Sequence, residues 1–325
     1  MSVHTAIQWC DDTVNPVMGC CGCELWRRET DGTFRRCSCY AGLLHRLRAA
    51  GGATPSQMID KGYAPFFEQP HKFPGRMMTM ARTASLTDMR RYDKPWLDGM
   101  PRMIFVSDMG DALSKSIDLE FLHAEIIDTA TSPEGSQHIW LWLTKQPQRM
   151  AAFFAEQLGG CGWPTNVWPG TSITAQESVG RLRRVDHLRR VGDERTVRFL
   201  SVEPQLEHVS LAGNLTGIGW VIQGGESENK RTTPGTPEYD EYGARPFDLS
   251  WARSLREECR DAGVPYFLKQ LGTRAHDGGE QLKLRDRHGG DWDEWPADLR
   301  VRDVPHTGGR GRAKKRLCVV SRGLS

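Results

Sequence analysis

The feature that most constrains this chain is a series of short apolar runs that do not alternate with polar residues. They are residues 5–9 (TAIQW), 103–106 (MIFV), 138–143 (HIWLWL), 166–169 (NVWP), 197–202 (VRFLSV), 220–223 (WVIQ) and 265–268 (PYFL). Strands that are apolar at successive positions are buried on both faces, as in a parallel sheet covered by helices. Amphipathic stretches lie between the runs: 117–130, 147–158, 176–191 and 249–262. In the third, Val179, Leu182, Val185 and Leu188 fall at helical spacing, and Gly263 stands where a helix end favours glycine. This alternation predicts an α/β fold. Seven candidate strands suggest a complete or partial (β/α) TIM-type barrel, with a doubly wound open sheet as the second choice.

Two regions break the rhythm. Residues 20–98 read as a cysteine-rich, loop-rich insertion, and residues 227–245 as a polar Gly/Pro-rich loop of the kind that covers a site. The expected division is a barrel over 1–272 and a C-terminal extension over 273–325 that is irregular and ends in a basic tail.

The chain has 325 residues, 38% hydrophobic and 26% charged, as expected for a globular protein. No apolar run approaches the roughly 20 residues of a membrane span, so no membrane partner is expected. The first residues lack the basic start and apolar stretch of a secretory signal. A cytoplasmic location with reduced thiols is therefore expected, and nine cysteines cannot form a complete disulfide framework. A net charge of +2 does not announce a nucleic-acid binder. The basic stretch 308–316 (GGRGRAKKR) reads either as a solvated tail or as a phosphate-contacting arm.

Barrels of this class collect function at the carboxyl ends of their strands. Here those ends are polar throughout: Asp11 and Asp12; Ser107, Asp108 and Asp111; Thr144 and Lys145; Thr171 and Ser172; Glu203; Gly224, Gly225 and Glu226; Lys269 and Gln270. Any strand ends in polar residues, but acids, lysines and hydroxyls at every end together point to an active-site mouth. The double glycine reads as a place where backbone approaches a ligand, or simply as a tight turn. Trp140, Trp142, Trp168, Trp220 and Trp251 read as packing residues rather than a base-stacking platform.

Five of the nine cysteines, Cys20, Cys21, Cys23, Cys37 and Cys39, fall within twenty residues directly after the first run. Cys20 and Cys23 form a CxxC pair, and Cys37 and Cys39 a CxC pair. Four thiolates suit a tetrahedral zinc, and three or four suit an iron–sulfur cluster. A cluster with three protein ligands leaves one iron open to the amine and carboxylate of S-adenosylmethionine, whose sulfonium an electron then cleaves.

A set of ordered motifs carries a resemblance: NPVMGC (15–20), CYAG (39–42), FVSDMGDAL (105–113), LTKQPQRM (143–150), NVWPGTSI (166–173), RFLSVEP (198–204), WVIQGGES (220–227), ARPF (244–247) and AGVPYFLKQLG (262–272). Over residues 5–272 the chain resembles an uncharacterised family of phage and bacterial proteins with a barrel-like fold. Its three N-terminal cysteines are similar to those of radical S-adenosylmethionine enzymes. The resemblance maps the first cysteine onto Cys20 and the last onto Cys39, with Cys23 as the middle ligand and Cys37 as the alternative. The chain departs from the radical-enzyme pattern in its glycine motif, since Gly224–Glu226 follows a late strand rather than an early one.

Three functional readings follow. The first is a radical S-adenosylmethionine-like enzyme with a [4Fe-4S] cluster on Cys20, Cys23 and Cys39. It acts on a nucleotide or nucleic acid, as in phage DNA modification, in a bacterial cell or phage-infected host. Asp108 and Glu203 are its candidate catalytic residues. Asp111, Lys145, Ser172, Gly224, Gly225, Glu226 and Lys269 are its candidate cofactor-binding residues. The second is a zinc-containing barrel transglycosylase that exchanges a base for a deazaguanine in DNA or tRNA, with Asp108 or Glu203 attacking the sugar carbon. The third is a zinc-stapled nucleic-acid-binding module without catalysis.

Overall fold

Met103–Val106 is buried at every position, and so are most residues of the strands beside it. In the computed structural model, which describes residues 4–28, 34–35, 39–84, 91, 93–227 and 243–305, seven such strands form one sheet. They are β1 (Asp12–Val14), β2 (Met103–Val106), β3 (Ile139–Thr144), β4 (Val167–Ser172), β5 (Phe199–Val202), β6 (Trp220–Gly224) and β7 (Tyr266–Gln270). All pairings are parallel, and spatial order follows chain order. A doubly wound sheet reverses its strand order at a switch point. This sheet has no reversal, which sets that alternative aside.

Side chains alternate between two apolar clusters. Ile104, Trp140, Val167, Leu200 and Val221 point outward with Met150, Leu188 and Leu255 from the flanking helices. Phe105, Leu141, Trp168, Phe199, Trp220 and Phe267 point inward with Trp9. The ring of Trp9, just before β1, lies 6.2 Å from that of Phe199 on β5 and 6.4 Å from that of Trp220 on β6. In a flat sheet, at about 4.8 Å per strand, β1 and β6 would stand about 24 Å apart. The sheet is therefore curled into a partial barrel around an aromatic interior. Trp140, Trp142, Trp168 and Trp220 are buried in packing, and Trp251 is half-buried against the outer cluster.

The stretch after β7 lies over the seam between the last and first strands. Leu268 N–H donates to Val301 O (2.9 Å) and Asp303 N–H to Tyr266 O (3.0 Å). The Arg302 guanidinium sits 4.2 Å from the Trp96 ring and 5.1 Å from that of Trp295, and reaches Gln8 on the β1 side.

Three local expectations are corrected. The first strand is Asp12–Val14, not residues 5–9. Asp11 and Asp12 consequently lie at its amino end, away from the mouth, and each is claimed by a buried arginine. Arg91 forks onto Asp11 at 2.8 Å, and Arg102 Nε meets Asp12 at 2.6 Å. The helix expected over 176–191 is split into Gln176–Val179 and Arg184–Arg189, with Arg183 at φ +48° between them. The break turns Arg184 inward, to an acid described below. The stretch 117–130 carries a π-helical turn, His123–Ile127. That turn brings the Glu125 carboxylate onto the N–H groups of Gly75 (2.8 Å) and Met77 (2.9 Å), at the start of the helix Arg76–Thr83.

Candidate active site

A cavity of about 930 Å³ lies at the carboxyl ends of the strands. The residues that leave β1 run directly across its rim. Val17–Met18 pairs with His71–Lys72, and Gly19 then turns at φ +91° and bridges to Gly110 after β2. A Cβ on Gly110 would stand 2.4 Å from Gly19 O, and one on Gly19 2.6 Å from Phe67 O. These two glycines let the cysteine loop press against the β2 exit. Asn15 adds a clamp: its Oδ1 accepts the Met109 N–H (2.9 Å) and its amide donates to Asp108. Cys20 is held by its N–H on Phe67 O at 2.7 Å.

Cys23 begins a tight turn closed by reciprocal backbone bonds with Trp26. Cys39 is the N-cap of the helix Tyr40–Ala49, whose Gly42 lies so close to Trp26 that a Cβ would meet the ring at 2.5 Å. Cys20, Cys23 and Cys39 therefore line one cavity wall. Burial pushes the Cys20 thiol well up, and raises Cys23 to about 11 although Lys145 opposes the rise. Cys37 lies outside the described residues, as do most of the expected covering loop and the basic tail. Among the described residues, no group of three or more His, Cys, Asp or Glu is gathered tightly enough to hold a single metal ion.

Lys145 leaves β3 beside the thiols, its Nζ 3.3 Å from Ser172 Oγ at the end of β4. Burial disfavours its charge, but Cys23, Glu24 and Cys39 more than offset that and raise its pKa. Across the cavity Glu203 and Lys269 form an ion pair at 2.9 Å, and Ser201 donates to the same carboxylate at 3.3 Å. Asp108 also lines the cavity, and burial raises its carboxyl despite the Asn15 hydrogen bond.

Other expected site residues are engaged in building the walls. The Asp111 carboxylate is occupied by Thr144 Oγ1 (2.9 Å) and by the N–H groups of Lys145 and Leu113 (both 3.0 Å). Glu226 is forked by Arg245, with Nε at 2.7 Å and Nη2 at 2.6 Å. Gly225 lies on the cavity wall, but Gly224 is not among its lining residues. A Cβ on Gly224 would meet Glu203 Oε1 at 2.9 Å, and one on Gly225 would meet Leu271 O at 2.2 Å. The double glycine thus serves close packing of the protein on itself, with Gly225 also on the cavity wall.

Sequence reasoning missed several residues. Glu24, after Cys23, accepts from Thr174 Oγ1 and from both terminal nitrogens of Arg184, all at 2.8 Å. Ser107, already read as a polar strand end, takes φ +77° after β2, a conformation the sequence did not reveal, and its buried Oγ has no hydrogen-bond partner among the described residues. Positive φ on a non-glycine residue is uncommon and clusters at functional sites. Tyr40, Arg48, Lys61 and Arg76 also line the cavity. The charges of Glu24, Arg48, Lys61 and Arg76 are visible in the sequence, but charge is too common to single them out.

A family model described as "Protein of unknown function (DUF5131)" matches residues 4–296. No curated protein and no solved structure matches the chain.

Proposed function

The chain belongs to the DUF5131 family, and we propose that it is an iron–sulfur enzyme of the radical S-adenosylmethionine type acting on a nucleotide or nucleic-acid substrate. The observation that carries this reading is the common wall formed by Cys20, Cys23 and Cys39 at the carboxyl ends of a curled parallel sheet.

The donor set fits a cluster. Three soft thiolates come from one loop and one helix start, the donor type that iron–sulfur clusters take. A single zinc needs its donors about 2.3 Å from one centre, whereas a cluster takes each thiolate at a separate iron and accepts a wider spread. A cluster bound there with one open position would supply one-electron cleavage of the sulfonium cofactor.

The chain's own residues divide the remaining tasks. Lys145 and Ser172, next to the thiols, would hold the cofactor's carboxylate through charge and a hydroxyl. Glu203 and Lys269 face the substrate as a pre-formed ion pair that orients polar groups without net charge. Asp108, whose proton affinity is raised by burial, would hold or accept a proton at the substrate. The aromatic interior below them keeps the base of the site dry.

The test is anaerobic purification followed by assay of iron, sulfide and zinc per chain, with Cys20→Ala, Cys23→Ala and Cys39→Ala beside the wild type. The expected result is about four irons and four sulfides per chain, lost in each variant, and reductant-dependent release of methionine from the cofactor. Stoichiometric zinc without iron after anaerobic reconstitution would refute this reading and favour base exchange or binding.

A further inference from the structure

One side of the cavity mouth differs from the rest. It is built by the helix Tyr40–Ala49 and residues 61–76. Tyr40 and Phe66 are the exposed large hydrophobic side chains of the described residues, at 60% and 51%. Tyr40 lines the cavity, and Phe66 adjoins Phe67, whose carbonyl holds the Cys20 N–H.

Cations of the same segment lie against two further rings, Tyr63 and Phe73. The exposed Arg48 guanidinium lies 4.6 Å from the Tyr63 ring. Arg76 donates to Gly62 O at 2.8 Å and lies 3.6 Å from the Phe73 ring. Lys61, next to Gly62, is exposed. None of Arg48, Lys61 and Arg76 has a carboxylate at ion-pair distance among the described residues. Residues 40–76 hold five Lys and Arg against two Asp and Glu, more net positive charge than the +2 of the entire chain. Of those two acids, Glu68 is taken by the Trp26 indole N–H at 3.1 Å.

We propose that this rim is a docking surface for a single-stranded nucleic acid, with Arg48, Lys61 and Arg76 on successive phosphates and Tyr40 and Phe66 stacked on bases. The proposal rests on the reading of the cavity as a site for a nucleotide substrate, and makes that substrate a strand. Three cations without a carboxylate partner among the described residues, on one rim, match a polyanion. Exposed rings gain from stacking only where base faces are free, as in an unpaired strand. A strand lying along residues 61–76 can turn one base into the cavity beside Asp108 and the Glu203–Lys269 pair.

The test is fluorescence anisotropy of the full chain with fluorescein-labelled oligo-dT and oligo-U, and with a duplex of equal length, across a salt series. Binding to a single strand is expected, with a log–log salt slope of about −2 for three phosphate contacts. Arg48→Gln and Lys61→Gln should each flatten the slope by about 0.7. Tyr40→Ala should weaken binding by roughly 5- to 100-fold at unchanged slope. Arg260→Gln, on a distant exposed helix face, should change nothing. All four sites are exposed, so these variants keep the fold; circular dichroism verifies this. No binding to either strand, equal affinity for the duplex, or an unchanged slope in both charge variants would overturn the proposal. Strand binding by a chain that takes up no iron even on anaerobic reconstitution would defeat the enzymatic reading alone. Cofactor cleavage without strand binding would defeat the docking surface alone.

Discussion

Both oxygens of the Glu24 carboxylate receive Arg184 at 2.8 Å, joining the residue after Cys23 to the far side of a broken helix. Arg184 is 5% exposed and Glu24 26%, so the pair is largely shielded from water. Burial alone would raise the Glu24 carboxyl. The Arg184 hydrogen bonds and charge, with Lys145, instead bring it down to about 2. A carboxyl held below its unfolded value of about 4.3 stabilises the fold fully above that pH. The contribution fades as pH falls towards 2.

Glu24→Gln should therefore lower stability on the order of 2–3 kcal/mol at pH 7. The gap from wild type should narrow steadily between pH 4.5 and pH 2. Denaturant melts at pH 7, 4 and 2.5 measure it, and a gap that does not change with pH would contradict the assignment.

Asp12 is fully buried against Arg102, at the amino end of β1. Asp12→Ala leaves a buried guanidinium without its partner and should cost about 3–5 kcal/mol. Metal content per folded chain should stay at the wild-type level, because the pair lies away from the mouth. Urea unfolding together with metal analysis of the folded fraction checks both halves.

The Gly19–Gly110 crossing admits no side chain. Gly110→Ala should push the Cys20 loop off the β2 exit, at a cost of about 1–3 kcal/mol. Cys20 should then react faster with iodoacetamide, read by peptide mass spectrometry of the metal-free chain. An unchanged alkylation rate would show that the loop is held by its other bonds alone.

Arg302 is enclosed by Trp96, Trp292 and Trp295. Arg302→Ala should destabilise by about 1–3 kcal/mol through lost packing and cation–π contact. A change in tryptophan fluorescence should accompany the loss, since three indoles surround the missing group. Identical emission in variant and wild type would argue against this arrangement in solution.

Much of the sheet was legible because burial on both faces leaves an uninterrupted apolar run, as in MIFV and WVIQ. The curl also follows from the inward aromatics, once alternate residues are assigned to one face. The first strand was misplaced because TAIQW is apolar, whereas the true strand, DTV, is short and preceded by acids that look like a mouth. What identifies those acids as structural is Arg91 and Arg102, 80 and 90 residues away. The positions of Asp108, Lys145 and Glu203 on the cavity wall were readable because each lies within two residues of a strand end. Glu24 and Arg184 were not, because a broken helix and a chain separation of 160 residues leave no local pattern.

Gln8 and Arg302 touch across 294 residues of chain. During synthesis the first of them leaves the ribosome long before the second exists. Until residues 301–303 emerge, β7 has a bare edge and the rings of Trp220 and Phe267 lack their cover. The barrel wall thus completes only once residues 301–303 have been made. A nascent chain must meanwhile keep an aromatic interior from its neighbours, and long sequence separation slows that closure further.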